Sequence, residues 1–397
     1  MRHWRVLLAA HAGYLLDAMD VVLYVFALNT LRAEFGFSNA TAGLIGSATL
    51  LASAGGGILA GIVADRIGRA RTLAYTILIY SFASAGTATA HSVGALLFWR
   101  ALVGVGLGGE WSAGAVLVAE TWPDRYRVRA IAVMQSGWAL GYLLAAGVTA
   151  LVLPRFGWRA LFLVGVLPAL LAGWVRRGVR EPDLWRPRQA LPFSALFRRP
   201  LRTMTLRAVS LTTAVLFAYW GLFTWLPGFL SAPVSAGGAG LSIVRTSGAV
   251  VPLQIGALLG YLSFGWISDW IGRRPAFVTF MVGAALIVPV YGLARDEKTL
   301  LALGPLVGYF GSGYFSLFGA MLAEIFPAGL RGAGQGFTYN AGRAVSAIAP
   351  FTIGSLADRY GIGSALGANS AFFLLGAGLI FLLPRAVSLI QDQSLNN

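Results

Sequence analysis

A few ionisable side chains fall in the middle of long, almost wholly apolar runs: Asp17 and Asp20, Arg100, Glu110 and Arg343. A charge at the centre of a hydrocarbon layer is costly, so residues of this kind point to a path for protons or polar solutes. At 100° per residue, Tyr14, Asp17, Asp20, Val21 and Tyr24 cover about 120° of one helix face, a polar stripe that a water-filled cavity requires. Gln335, Tyr339, Arg343 and Ser346 fall within about 80° on another segment. A planar guanidinium matches a carboxylate in bidentate geometry and keeps its charge when desolvated, so Arg343 is the expected anion anchor, with Tyr339, Asn340 and Gln335 around it. Gln135, Trp138 and Tyr142 share a third face, and Tyr219, Trp220, Phe223, Gln254, Tyr309 and Tyr314 are further candidates. For Asp17, Asp20 and Arg343 the competing role is a structural contact that only holds helices together, for Glu110 it is a buried, permanently protonated carboxyl among Gly108 and Gly109, and for the aromatics it is packing. His11, near one membrane face, is read as structural or solvated.

The elements that position these residues must be membrane helices. Of 397 residues 57% are apolar and 11% charged, with a mean hydropathy of +0.73, which excludes a soluble domain of this size. Twelve apolar runs, at 6–31, 42–64, 72–90, 95–119, 130–152, 160–175, 205–230, 248–268, 276–294, 299–323, 334–356 and 364–384, are each suited to cross a core of roughly 30 Å as a helix. The predicted fold class is an all-α membrane protein of twelve transmembrane helices in two pseudo-symmetric six-helix bundles, residues 1–175 and 205–397, joined by a cytoplasmic linker over 176–204. Placing both termini inside puts 21 arginines on the cytoplasmic side and seven basic residues on the other, which sets the orientation. The formal charge of +15 therefore reflects topology rather than nucleic acid. Without cysteine there is no disulfide or thiol chemistry, and no metal-ligand spacing, P-loop or nucleophile motif is present. No cofactor and no enzymatic activity are expected. The linker segment 191–197 is expected to lie along the membrane surface.

A repeat organises the chain. Gly61, Asp65, Gly68 and Arg69 recur as Gly265, Asp269, Gly272 and Arg273, each 204 positions later. The same offset carries Gly104 to Gly308, Glu120 to Glu324, Pro123 to Pro327, Arg127 to Arg331 and Gly157 to Gly361. Parallel repeats of this kind build transporters in which two halves rock about a midplane site. Asp65, Arg69, Glu120 and Arg127, with Asp269, Arg273, Glu324 and Arg331, are predicted to pair as a cytoplasmic gate. Asp358, Arg359 and Gly361 repeat the pattern of the first gate, but 293 positions later and on the outer side, and are read as coincidence.

The segment with Gly61, Asp65, Arg66, Gly68 and Arg69 resembles the loop signature of the major facilitator superfamily. Arg100, Gly104, Gly106 and Gly108 resemble its fourth-helix signature. The runs 108–114, 119–123, 135–138, 180–185 and 331–343 resemble the proton symporters of its sialate/lactate-type branch and their aromatic-acid and metabolite relatives. That resemblance implies a proton-coupled importer of a small organic anion in a bacterial inner membrane, a monomer in lipid, with Asp20 as the protonated aspartate facing Arg100. Asp17 and Glu110 are the alternative proton sites. A proton/drug antiporter is the rival reading, although Gln135 to Val152 lacks the Gly-Pro motif usual there. A non-transporting receptor is a further alternative.

Overall fold

The structure is a computed structural model that describes residues 2–122, 124–170, 193–327 and 330–383. Among the described residues there is no strand. The first half comprises α1 (Arg2–Phe35), α2 (Asn39–Ile67), α3 (Arg69–Thr87), α4 (Val93–Thr121) and α5 (Asp124–Val164). The second comprises α6 (Leu201–Phe223), α7 (Leu226–Ser231), α8 (Ile243–Ile271), α9 (Arg273–Leu293), α10 (Glu297–Ser312), α11 (Phe315–Glu324), α12 (Arg331–Ser346), α13 (Ala349–Tyr360) and α14 (Ile362–Leu379).

Among the described residues, eight stretches of helix are long and apolar enough to cross a membrane. The other four expected crossings fall as follows. The third corresponds to α3, 19 residues long, and the sixth continues from the fifth through Gly157, whose φ of 74° is open to glycine but not to most side chains. The eleventh breaks between α12 and α13 just before Pro350, a residue with no N–H for the helical ladder. The tenth breaks at Gly313 and Tyr314, where Gly313 packs on the Gly260 backbone.

The repeat is visible in the packing. In the first half α2 lies on α4 and α1 on α5; in the second, α8 lies on α10 and α6 on α12. A Cβ at Gly104 would collide with the Thr49 carbonyl, and one at Gly308 with the Leu253 carbonyl, a contact pair that the 204 offset superposes. The caps repeat as well. Ser38 accepts from Thr41 N as Ser242 does from Arg245 N, and Ser92 accepts from Ala95 N as Asp296 does from Thr299 N.

The halves meet along two seams related by the same pseudo-symmetry, α2 against α13 and α5 against α8. The end of the bundle where α1 finishes and α2 begins is called the far end below, and the end holding the N-terminus the near end. Turns with a positive-φ glycine recur at Gly68, Gly157, Gly272 and Gly361, with φ of 103°, 74°, 92° and 81°. Gly361 therefore occupies the same kind of turn as Gly68 and Gly272, so the reading of residues 356–361 as coincidence is corrected. Of the expected linker, 176–192 lies outside the described residues. The piece Phe193–Phe197 forms a 3-10 turn with Leu196 buried, and Phe193 and Phe197 pack edge-on against Phe337 of α12 at 5.6 and 5.2 Å between ring centroids.

Candidate functional site

A cavity opens where the halves meet. α1 supplies Tyr14 and Asp17, α2 Thr49 and Ser53, and α5 Gln135, Trp138 and Tyr142. From the other half come Tyr219, Trp220 and Phe223 of α6, Tyr261 of α8, Phe315 of α11, and Tyr339 and Arg343 of α12. Tyr14 packs on Trp138 at 5.3 Å, and Trp138 meets Trp220 of the other half edge-on at 5.7 Å and 87°. The wall is thus largely aromatic, with few polar groups set into it.

Chief among these is Arg343, only 8% exposed. Its Nη1 donates to Ser53 Oγ across the seam at 3.3 Å, its Nη2 to the Tyr339 hydroxyl at 3.4 Å, and its Cζ lies 4.9 Å from the Tyr339 ring centroid. Among the described residues it makes no ion pair, and its Nε has no hydrogen-bond partner. The indole N–H groups of Trp138 and Trp220 are also without a partner. The cavity wall therefore offers unmatched donors and a cation that has Asp17 as an electrostatic neighbour but no direct ion pair among the described residues, an arrangement that an anion of suitable shape completes.

A second cluster lies wholly in the first half. Arg100 Nη1 is 3.5 Å from Asp20 Oδ2, with both side chains at most 1% exposed. Ser84 Oγ donates to Asp20 Oδ1, and the Arg100 guanidinium also lies 5.1 Å from the Tyr24 ring centroid. Arg100 and Asp17 reach the cavity wall while Asp20 sits behind it. Asp17 Oδ1 has no hydrogen-bond partner. Glu110 fills the space above Gly13, where a Cβ would collide with it, and lies beside Tyr80.

The remaining expected residues are dispersed. Gln335 and Asn340 do not line the cavity; Asn340 Nδ2 donates to Gly336 O in its own helix, and its side chain faces Gly57 of α2. Gln254 is buried elsewhere, Tyr309 accepts from Ser263 Oγ, and Tyr314 packs on Phe277. His11 Nδ1 lies 2.8 Å from Val133 O, outside the cavity. Of the expected near-end gate, the side chains of Asp65, Arg69, Glu120, Arg127, Glu324 and Arg331 lie outside the described residues, while Asp269 and Arg273 are exposed. Ser53, Thr49, Ser84, Tyr261 and Phe315 were not picked out by sequence reasoning. A hydroxyl one turn from another on an apolar helix, as at Thr49 and Ser53, was the one signal available.

A model of the Major Facilitator Superfamily matches residues 10–288 and 235–394. A probable 4-methylmuconolactone transporter of Cupriavidus pinatubonensis is 35% identical over 391 residues, covering 95% of this chain and 89% of that one. A cis,cis-muconate transport protein of Acinetobacter baylyi is 30% identical over 390 residues, covering 94% and 92%. The crystal structure of a D-xylose-proton symporter, 18% identical, superposes with a TM-score of 0.78 over 97% of this chain and 99% of that one, which speaks to the fold alone. With its two six-helix halves and the cavity between them, the chain belongs to the Major Facilitator Superfamily and is a secondary membrane transporter, not an enzyme.

Proposed function

We propose that this transporter imports a small planar organic carboxylate together with protons, across a bacterial inner membrane with both termini cytoplasmic. The observation that carries the reading is the buried, unpaired Arg343 in an aromatic-walled cavity between the halves. The guanidinium receives the carboxylate, and the faces and edges of Tyr14, Trp138, Tyr219 and Trp220 take a flat conjugated or aromatic body. Relatives whose names specify muconate and methylmuconolactone, compact unsaturated acids, support this substrate class.

Proton coupling rests on Asp20 and Arg100. Ionised Asp20 holds the guanidinium; a proton on Asp20 removes that attraction and frees Arg100, which borders the cavity, to respond to the substrate. Asp17 and Glu110 are the alternative carriers. Asp65 and Arg69, with Asp269 and Arg273 and the acidic and basic pairs Glu120 with Arg127 and Glu324 with Arg331, act at the near end as the cytoplasmic gate. With this orientation the far end faces outward.

Thermal unfolding of the purified protein against a panel of carboxylates, their amides and lipophilic cations tests the reading. A ligand at a hundred times its Kd stabilises by about 2.7 kcal/mol. Aromatic or conjugated carboxylates should raise the transition temperature, their amides should not, and Arg343→Lys should abolish the shift. Stabilisation by lipophilic cations and by no carboxylate would establish the antiporter reading instead.

A further inference from the structure

Asp358 belongs to neither cluster. It lies near the C-terminal end of α13, at the far end and in the second half, three residues before the left-handed turn at Gly361. Its carboxylate reaches into the first half: Oδ1 accepts from Asn39 N at 3.1 Å and from Asn39 Nδ2 at 2.8 Å, and Oδ2 accepts from Ala40 N at 2.8 Å. These are the opening residues of α2, where N–H groups lack partners within the helix and negative charge is favoured. Ser38 satisfies the next two, taking Thr41 N on Oγ and Ala42 N on its carbonyl. The start of α2 is thus capped partly by its own chain and partly by a carboxylate from the other half of the molecule.

We propose that Asp358 is a latch that holds the far end shut, and that its release lets the halves part there. The surroundings fit a joint that closes and opens. Directly below the latch the two halves touch backbone to backbone: a Cβ at Gly43 would collide with the Pro350 carbonyl, and one at Gly354 with the Asn39 carbonyl. Beside it a polar relay joins the halves from α1 to α7, since Asn29 Nδ2 donates to Ser231 Oγ at 2.7 Å and Asn29 Oδ1 accepts from Arg32, an electrostatic neighbour of Asp358. Asp358 itself is exposed, so water replaces its partners when the seam opens and no bare charge is stranded. Such a contact can be made and broken in every cycle.

The pseudo-symmetric seam lacks the device. Pro154 stands at the position matching Asp358, and α8, the counterpart of α2, is capped by its own Ser242. The acid three residues before the turn glycine is shared with Asp65 and Asp269 at the near end. The same turn pattern thus places an acid at both ends of the molecule, singly at the far end.

The native chain has no cysteine, so Thr224→Cys, in the cavity wall at the end of α6, gives a single thiol. A membrane-impermeant methanethiosulfonate added to oriented proteoliposomes reports which end admits it. Loss of a helix cap held by a carboxylate shifts such an equilibrium roughly tenfold, so Asp358→Ala should speed labelling from the far side by about that factor, with Asp358→Asn in between. Labelling from the near side should slow. Equal far-side rates in wild type and both variants overturn the proposal. Faster labelling from both sides together with a lowered unfolding temperature also overturns it, because that is a loosened fold and not a released latch. The assay uses neither substrate nor proton gradient, so its outcome is separable from that of the transport reading above.

Discussion

The two halves share a scaffold but divide the buried charge unequally. The first half buries Asp17, Asp20, Arg100 and Glu110; the positions 204 residues later are Gly221, Thr224, Gly304 and Tyr314. The second half buries Arg343, whose counterpart is Ala139. Helix-on-helix contacts, caps and turn glycines are duplicated, whereas none of these five residues has a charged counterpart at the 204 offset. In the reading proposed above one half handles protons and the other holds an anion, and the hydrogen bond from Arg343 to Ser53 joins the two.

That division can be broken in order of expected effect. Gly104→Val and Gly308→Val should be about equally damaging, each forcing a side chain into a backbone carbonyl of the neighbouring helix at a cost of several kcal/mol, of order 3 or more. Their yields of folded protein, measured by size-exclusion profile in detergent, should fall together; a large disparity would show that the halves are not equivalent frames. Next, Arg343→Lys keeps the charge but loses the fork, so affinity should fall roughly a hundredfold, about 2.7 kcal/mol, with folding unchanged. Unaltered affinity would remove the anion site from the second half. Asp20→Asn should abolish accumulation driven by an imposed proton gradient while sparing substrate exchange in the same proteoliposomes. Accumulation that persists moves coupling to Asp17 or Glu110. Asp65→Asn should slow turnover with affinity nearly intact, and a loss of binding with normal turnover would refute the gate. The smallest effect belongs to Ser53→Ala, which removes one hydrogen bond to the anchor: affinity should drop about fivefold, near 1 kcal/mol, leaving coupling untouched.

Much of this was legible in the sequence because the bilayer makes charge conspicuous. Asp17, Asp20, Arg100, Glu110 and Arg343 stand out against apolar runs, and all five are buried in the structure. Direct pairing of Asp20 with Arg100, expected from the family resemblance, is present at 3.5 Å. What was not legible depends on contacts between halves. Ser53 lies 290 positions from Arg343, and a serine in an apolar helix carries no mark of its partner. Asn340 sits next to Tyr339 in sequence yet faces α2, because helical rotation of 100° per residue separates neighbours. In the sequence Asp358 reads as coincidence, 293 positions after Asp65 and on the outer side; the turn at Gly361 shows a shorter unit recurring within each half, which the 204 offset does not register. The breaks at Gly313 and before Pro350 lie within apolar runs that hydropathy reads as continuous.

Trp138 and Trp220 sit edge to face across the seam, one from each half, within the cavity wall. Indole emission depends on neighbouring rings and on water, so rocking of the halves should change the colour and yield of the intrinsic fluorescence, and a bound carboxylate should quench or shift it. Ten other tryptophans contribute to the same spectrum, but the difference between wild type and a Trp220→Phe variant isolates the pair. The molecule thereby carries its own optical gauge of how far its two halves stand apart.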